Sequence, residues 1–426
     1  MLDVKLLRED PETIRADLRK RGMFDKLHLV DDAIKADTEW RTAKTQAEAL
    51  RHELNEANRV IADLARNKQP IQAEQSKVAE FSKRLDGFAE AQDEQQRTLE
   101  SILMSLPNIL HESVPVGKDD AENVTVRTWG TERTFEFEPK DHVEVLAGLG
   151  MVDMERAAKI SGARFFILKG DAVKLEHAIM RYAIDAVSAK GFVPVEPPFM
   201  MRRQPYGGVT DLSDFGPVIY KVEGEDLYMI ATSEHPLVAM HSDEILSGSE
   251  LPLKYCGFSP CFRVEAGAHG KDTKGIFRTH QFYKVEQVAF ARPEESWALH
   301  EQLIANAEGV FKSLGLRYRV VNVCTGDMGT VAAKKYDLEA WMPVQGKFRE
   351  MVSCSNCTDY QSRRLKIRFR DKQSEATRLV HTLNSTAVTT RALVAIVENF
   401  QQEDGTVTIP APLVPYMGGI DRLRRR

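Results

Sequence analysis

The stretch CFRVEAGAHGKDTKGIFRTHQFYKVE, Cys261 to Glu286, sets two arginines and three carboxylates around a glycine-rich basic loop. Its apolar lead-in, Tyr255 to Phe262, predicts a strand. Gly267 to Gly275 predicts a flexible turn, and Thr279 to Phe290, rich in aromatic and β-branched residues, predicts the returning strand. Alternation along this hairpin places Arg263 and Glu265 on one face, with Arg278, Phe282 and Glu286 available from the return. An arginine fork suits a phosphate, an aromatic ring a purine face, and a carboxylate an ammonium or exocyclic amine. The same pattern also fits an ordinary hairpin with surface ion pairs, because paired charges on sheets are common.

Working outward, strand-like FRVEAG, KVEQVAF, RYRVVNV and FREMVSC alternate with helical patterns at Lys174 to Lys190, Glu294 to Leu314 and Ala387 to Gln402. This predicts an α+β domain with a mostly antiparallel sheet. Neither GxGxxG nor GxxxxGK[ST] occurs, so a nucleotide would be held by side chains on the sheet. The 426 residues, 42% hydrophobic, can bury a sizeable core and should hold more than one domain. The start MLDVKLLREDPE has no apolar signal core, and the apolar runs are too short to span a bilayer. The expectation is a cytoplasmic protein without a membrane partner. Five cysteines in no framework spacing suit a reducing compartment. The pairs Cys256/Cys261 and Cys354/Cys357 can be read as a zinc site or, as preferred here, as small buried side chains.

The N-terminal third reads differently. Ala47, Leu50, Leu54, Ala57, Ile61 and Leu64 recur at alternating spacings of three and four. So do Val78, Phe81, Leu85 and Phe88, resumed at Leu99, Ile102 and Leu106. These are heptad seams separated by Asn67-Lys68-Gln69-Pro70, which predicts an antiparallel helical hairpin, a coiled coil over about 29–105. Helices of roughly 30 residues reach about 45–50 Å, enough to project from a globular body. Gln92 and Gln95 fall on the seam as a register device or a weak point. The first helix and tip carry Arg41, Lys44, Arg51, His52, Arg59, Arg66 and Lys68, and the second helix is acidic. A net charge of −5 argues against indiscriminate nucleic-acid binding, so any RNA contact is local. On pattern alone, a solvated coiled coil with i,i+4 ion pairs, or a dimerisation element, is the preferred reading of the arm over RNA binding. It offers no visible stacking platform for unpaired bases.

The opening stretch resembles motif 2 of class II aminoacyl-tRNA synthetases, in the form carried by seryl-tRNA synthetases. GFVPVEPPFM (about 191–200) resembles motif 1, TSEHPL (Thr232 to Leu237) the serine-binding TxE loop, and EMVSCSNCTDYQSRR (Glu350 to Arg364) the ATP and metal segment. HTLNSTAVTTRALVAIVENFQ (about 381–401) resembles motif 3. PNILHESVPVGKDDAENV (Pro107 to Val124) resembles the joint between arm and body, and MLDVKLLREDPETIRADLRKRG the usual N-terminus. Several long motifs in order over nearly the whole chain are far more specific than any one short pattern.

The resemblance implies a tRNA-binding arm over 1–110 and a class II catalytic domain over 111–426, with motif 1 forming a homodimer interface. It implies a serine–tRNA ligase that uses ATP and Mg2+ to activate L-serine and transfers it to tRNA(Ser), with tRNA(Sec) open as a second acceptor. Arg263 is then expected to touch the α-phosphate and the serine carboxylate, and Arg391 to hold the γ-phosphate. Phe282 stacks under adenine, Arg278 faces phosphate, and Glu265 contacts the base amine. Glu350 and Ser353 offer hard oxygens to the divalent ion. Met351 and Val352 between them, also in the ATP segment, contribute backbone or packing only. Thr232 and Glu286 receive the serine ammonium, Ser233 and Glu234 shape that loop, and Glu286, Asn384 and Thr386 meet the hydroxyl. On the arm, Arg41, Lys44, Arg51 and Arg59 contact tRNA phosphates. Because the serine carboxylate is already ionised, no general base is needed, and His269, His280 and His381 read as structural. Motif 3 departs from the family in having one residue fewer between Asn384 and Arg391, so the turn before the final helix should tighten or start differently. Two rival readings share this fold: a ligase that loads an amino acid onto a carrier protein, and a catalytically inactive tRNA-binding paralogue.

Overall fold

The computed structural model describes residues 1–212, 216–265 and 275–425. The turn expected at Gly267 to Gly275 therefore lies, apart from Gly275, outside the described residues, as does His269. The chain divides into two compact units, Met1–Ile109 and Leu110–Arg426.

The first unit is helical. Helix α1 (Val4–Glu9) is capped by Asp3, whose carboxylate accepts from the Lys5 amide. Helix α2 (Pro11–Lys20) is capped by Asp10 and has proline in its first turn, where a missing amide costs nothing. Two long helices follow, α3 (His28–Arg66, 39 residues) and α4 (Gln72–Ser105, 34 residues), so α3 runs about 58 Å at the α-helical rise. They meet along the two seams. Ala47, Leu50, Ala57, Leu99 and Leu106 are buried, and the remaining seam positions are half-buried. Gln92 and Gln95 sit half-buried in the same stripe, and the Gln92 side-chain nitrogen has no hydrogen-bond partner, which makes this layer the weak point of the seam. The arm also carries an aromatic that the sequence reading passed over: Lys44 Nζ lies 5.3 Å from the ring centroid of Trp40.

The second unit is built on an eight-stranded sheet. Its strands are β1 (Val124–Trp129), β2 (Val193–Val195), β3 (Leu253–Phe262), β4 (Gln281–Ala291), β5 (Tyr318–Asn322), β6 (Lys334–Met342), β7 (Lys347–Asn356) and β8 (His381–Thr389). Their spatial order is β1-β5-β6-β7-β8-β4-β3-β2, antiparallel throughout except where β2 runs parallel to β3 at one edge. Helices α5 (Asp171–Ser188), α6 (Ser296–Ser313) and α7 (Arg391–Phe400) cover one face, and the main hydrophobic core lies between them and the sheet. The opposite face is left for a site. The α+β architecture with a mostly antiparallel sheet, preceded by a long helical hairpin, agrees with the sequence reading.

Two expectations change. FRVEAG is not a continuous strand: β3 stops at Phe262, and Glu265 takes a left-handed backbone with φ of 52°. The helix expected from Ala387 starts only at Arg391, because Ala387 to Thr389 complete β8. The turn before that helix is tightened to the single residue Thr390. The ladder to β4 shifts register between Thr386 and Val388, so that Ala387 forms a bulge.

Candidate active site

Three central strands aim side chains at the open face. On β4 the period of two delivers Phe282, Lys284 and Glu286 to one side. On β8 the same period delivers Asn384 and Thr386, and the Ala387 bulge then brings Thr389 to that side rather than the opposite one. A second bulge does this on β7: its ladder to β6 skips Met351, so Ser355, Ser353 and Glu350 all line the site. Gly275, entering β4, has φ of +93°, and a Cβ there would meet His142 Nε2 at 2.6 Å. That ring is fixed, accepting from the Ile276 amide at 3.1 Å while its Nδ1 faces Glu398 Oε1 at 2.8 Å. His142 and Glu398 thus anchor the return of the opening stretch, and nothing in their sequence neighbourhood signals it.

The site consists of two adjoining cavities that share Arg263, Lys284 and Ser353. The first is lined by Glu265, Arg278, Phe282, Glu350, Met351 and Arg391 among others. Two of its arginines lie against glutamates, whereas Arg263 donates to the Ala231 carbonyl at 3.4 Å. Arg278 Nη1 lies 2.8 Å from Glu265 Oε2, and Arg391 Nη1 donates to the Glu350 carbonyl at 2.8 Å with its carboxylate at 3.6 Å. The Arg263 guanidinium carbon lies 5.2 Å from the Phe282 centroid. Burial lowers the proton affinity of Arg391; Glu350 opposes that, and the like charges of Arg263, Arg278 and Arg349 add to it. An excess of cations in one cleft is an arrangement that an incoming polyanion relieves.

The second cavity, about 310 Å³, is lined by Thr232, Glu234, His235, Glu286, Asn384 and neighbours. Lys284 Nζ lies 2.5 Å from Glu286 Oε2 and donates to Thr232 Oγ1 at 3.1 Å. Thr386 Oγ1 donates to Glu286 Oε2 at 3.2 Å, and Asn384 Nδ2 donates to Glu234 Oε1 at 3.0 Å. Gln361 also reaches Glu234, at 3.3 Å. Burial pushes the Glu286 carboxyl up to about 7, with Lys284 opposing the shift and Glu234 reinforcing it. Burial likewise raises Glu234, and it depresses His235 to about 3, leaving that ring neutral. Thr232, Glu234, Glu286 and Asn384 are thus tied into one hydrogen-bonded cluster with Lys284, Thr386 and Gln361.

Most of the anticipated residues converge here. Ser233 does not: it is fully buried and donates to the Gly257 carbonyl, so it holds the loop against β3. Val352 points into the hydrophobic core, and Met351 lines the first cavity. His280 bonds the Arg263 carbonyl and His381 bonds Ser296, both structural contacts. All five cysteines are buried and unbridged. The sequence reading missed Lys284, Gln361 and His235, whose partners come from distant segments. Lys284 was nevertheless signalled by its place between Phe282 and Glu286 on a strand with period two.

For a divalent ion, Glu350 and Ser353 offer two protein oxygens on the lining of the first cavity. Nearby cations hold the Glu350 carboxyl below its usual range against the cost of enclosure, with Arg391 leading. Two hard oxygens are too few for a cage, but they fit Mg2+, which keeps phosphate and water as its other ligands.

Comparison with known proteins places this geometry. Residues 1–110 match the seryl-tRNA synthetase N-terminal domain, and residues 220–400 match the tRNA synthetase class II core domain shared by the G, H, P, S and T enzymes. A serine–tRNA ligase from Thermococcus sibiricus is 52% identical over 98% of this chain and 96% of its own. The crystal structure of seryl-tRNA synthetase from Pyrococcus horikoshii complexed with ATP superposes with a TM-score of 0.96, at 52% identity and full coverage of both chains. The cytoplasmic serine–tRNA ligase of Naegleria fowleri, in complex with AMP, gives 0.90 at 35% identity, covering 100% of this chain and 99% of its own. With its two cavities, helical arm and whole-length likeness, the chain belongs to the seryl-tRNA synthetase family.

Proposed function

We propose that this chain activates L-serine with ATP and transfers the seryl group to tRNA(Ser), with Mg2+ as cofactor. The observation that carries the reading is the junction of a cation-rich cavity with a cavity of small buried polar groups, joined at Arg263 and Lys284. A serine carboxylate and the α-phosphate of ATP repel, so they react only where fixed positive charge lies between them. Arg263 sits at that point, Arg391 and Arg278 take the outer phosphates, and Phe282 offers a face to adenine. Glu265 reads the base amine once Arg278 turns to phosphate. Glu350 and Ser353 would hold Mg2+, which would supply neutralisation of phosphate charge. A carboxylate oxygen of serine then attacks the α-phosphorus and pyrophosphate leaves; the tRNA terminal hydroxyl later attacks the seryl carbonyl and AMP leaves.

In the second cavity Thr232 and Glu286 receive the ammonium, while Glu286, Asn384 and, from the adjoining first cavity, Thr386 meet the hydroxyl. A pocket whose buried groups expect a hydroxyl rejects alanine on the order of 10⁴-fold. The arm, residues 1–110, positions the acceptor through phosphate contacts from Arg41, Lys44, Arg51 and Arg59, all on α3. Residues 111–426 form the catalytic domain. Edge strand β2, with Val193 57% exposed, supports a homodimer through motif 1. No described helix is long and apolar enough to cross a membrane, in keeping with work in the cytoplasm, where tRNA(Sec) is a further candidate acceptor. The test is serine-dependent ATP–pyrophosphate exchange followed by charging of purified tRNA(Ser). Both steps are expected to proceed, and absence of the first would overturn the reading.

A further inference from the structure

The ammonium of Lys284 has no role in the chemistry above, yet it lies at the centre of the site. Its side chain is 9% exposed, and it donates to Thr232 Oγ1 and pairs with Glu286 Oε2. Those are the two groups assigned to the ammonium of serine. An alkylammonium of the chain therefore occupies the seat meant for an alkylammonium of the substrate, with the same charge and the same three donors.

Two such cations cannot share that seat. Glu286 Oε2 already accepts from Thr386 as well, and the next carboxylate, Glu234, is engaged by Asn384 and Gln361. A displaced ammonium in a buried site must find another anion or remain desolvated and unpaired at a cost. Lys284 has somewhere to go, because it lines both cavities and its four-carbon stem can swing between them without backbone movement. The groups arriving in the first cavity are anionic.

We propose that Lys284 is a substrate-displaced counter-ion that makes the site specific for amino acids over simple amines. In the ligand-free chain it holds Glu286 and Thr232. Serine takes that seat with its α-ammonium, and Lys284 turns to the carboxylate and α-phosphate, sharing their charge with Arg263. A ligand that brings an ammonium without a carboxylate evicts Lys284 and gives it no partner, so it binds poorly. The proposal rests on the serine-activation reading and adds to it a residue that couples filling of one cavity to the electrostatics of the other.

Ethanolamine, which is serine without its carboxylate, is the probe. In serine-dependent exchange by the full-length chain, Lys284→Met should lower kcat on the order of 10²-fold through loss of a charge in the transition state. In the same variant, inhibition by ethanolamine competing with serine should strengthen by roughly tenfold, since no internal cation then holds the seat. A lysine with only a structural role would weaken serine and ethanolamine together. Ethanolamine inhibition that is unchanged or weaker in the variant overturns the proposal. Should that variant not fold, the wild-type chain crystallised with serine decides: Lys284 Nζ is expected out of hydrogen-bond reach of Glu286, and a retained contact overturns the proposal. Failure of the underlying reading looks different, because the intact chain would then show no serine-dependent exchange at all.

Discussion

In the proposed serine pocket the central carboxylate is Glu286. It is 1% exposed, and its partners are one ammonium and one hydroxyl. Glu286→Gln removes the ion pair while keeping the shape, and it should raise the serine KM by roughly 10²-fold with little change for ATP. Equal losses for both substrates would contradict the division between the cavities. The pH dependence has a definite sign. With its pKa raised to about 7, Glu286 is neutral below that pH and charged above it, and only the charged form pairs with the serine ammonium. The serine KM in exchange should therefore fall as pH rises from about 6 to 8, by up to about tenfold per unit below the pKa. In Glu286→Gln that slope should vanish. Phe282, Glu286 and Arg263 were legible because a strand has a side-chain period of two and their chemistry is unusual. The Lys284 contact to Thr232 and the Gln361 contact to Glu234 were not, because each joins segments whose meeting only the fold decides.

Among the elements, the two bulges matter most to the site. A strand cannot present Asn384, Thr386 and Thr389 to one face by strict alternation, and the extra residue Ala387 makes it possible. Met351 does the same on β7. The segment from Ala387 to Val397 contains the end of a strand and most of a helix, and periodicity over so few residues could not divide them. The departure noticed in motif 3 falls in this segment, and the structure accommodates it without a loop. The return of the opening stretch rests on Gly275, where a left-handed backbone and the fixed ring of His142 leave no room for a side chain. Gly275→Ala should destabilise the chain by about 1–3 kcal/mol, read as a lower Tm, and should impair exchange as well. An unchanged Tm would mean that the His142–Glu398 buttress yields readily. The seams of α3 and α4, by contrast, were readable residue by residue, because a heptad pattern needs nothing but itself.

In the molecule as a whole, on the proposed reading, making the adenylate and choosing the RNA fall to different units. The core of the second unit is drawn from residues beyond Leu110, and the hairpin buries its own seams. Replacing residues 29–105 by a short linker should leave serine-dependent exchange largely intact and reduce tRNA(Ser) charging by at least about 10²-fold at matched salt. Undiminished charging would make the arm a spacer or a dimer element; lost exchange would make it part of the catalytic fold. In the proposed reaction Arg263 stands between the serine carboxylate and the α-phosphate, and a single assay tests that placement. Pyrophosphate exchange is measured with serine, on the intact chain and on Arg263→Ala, alongside near-ultraviolet and far-ultraviolet circular dichroism. The intact chain should exchange with serine and not with alanine, and Arg263→Ala should fold normally while losing on the order of 10²–10³ in rate. Exchange that survives undiminished without Arg263, or that proceeds with another amino acid and not with serine, would contradict it.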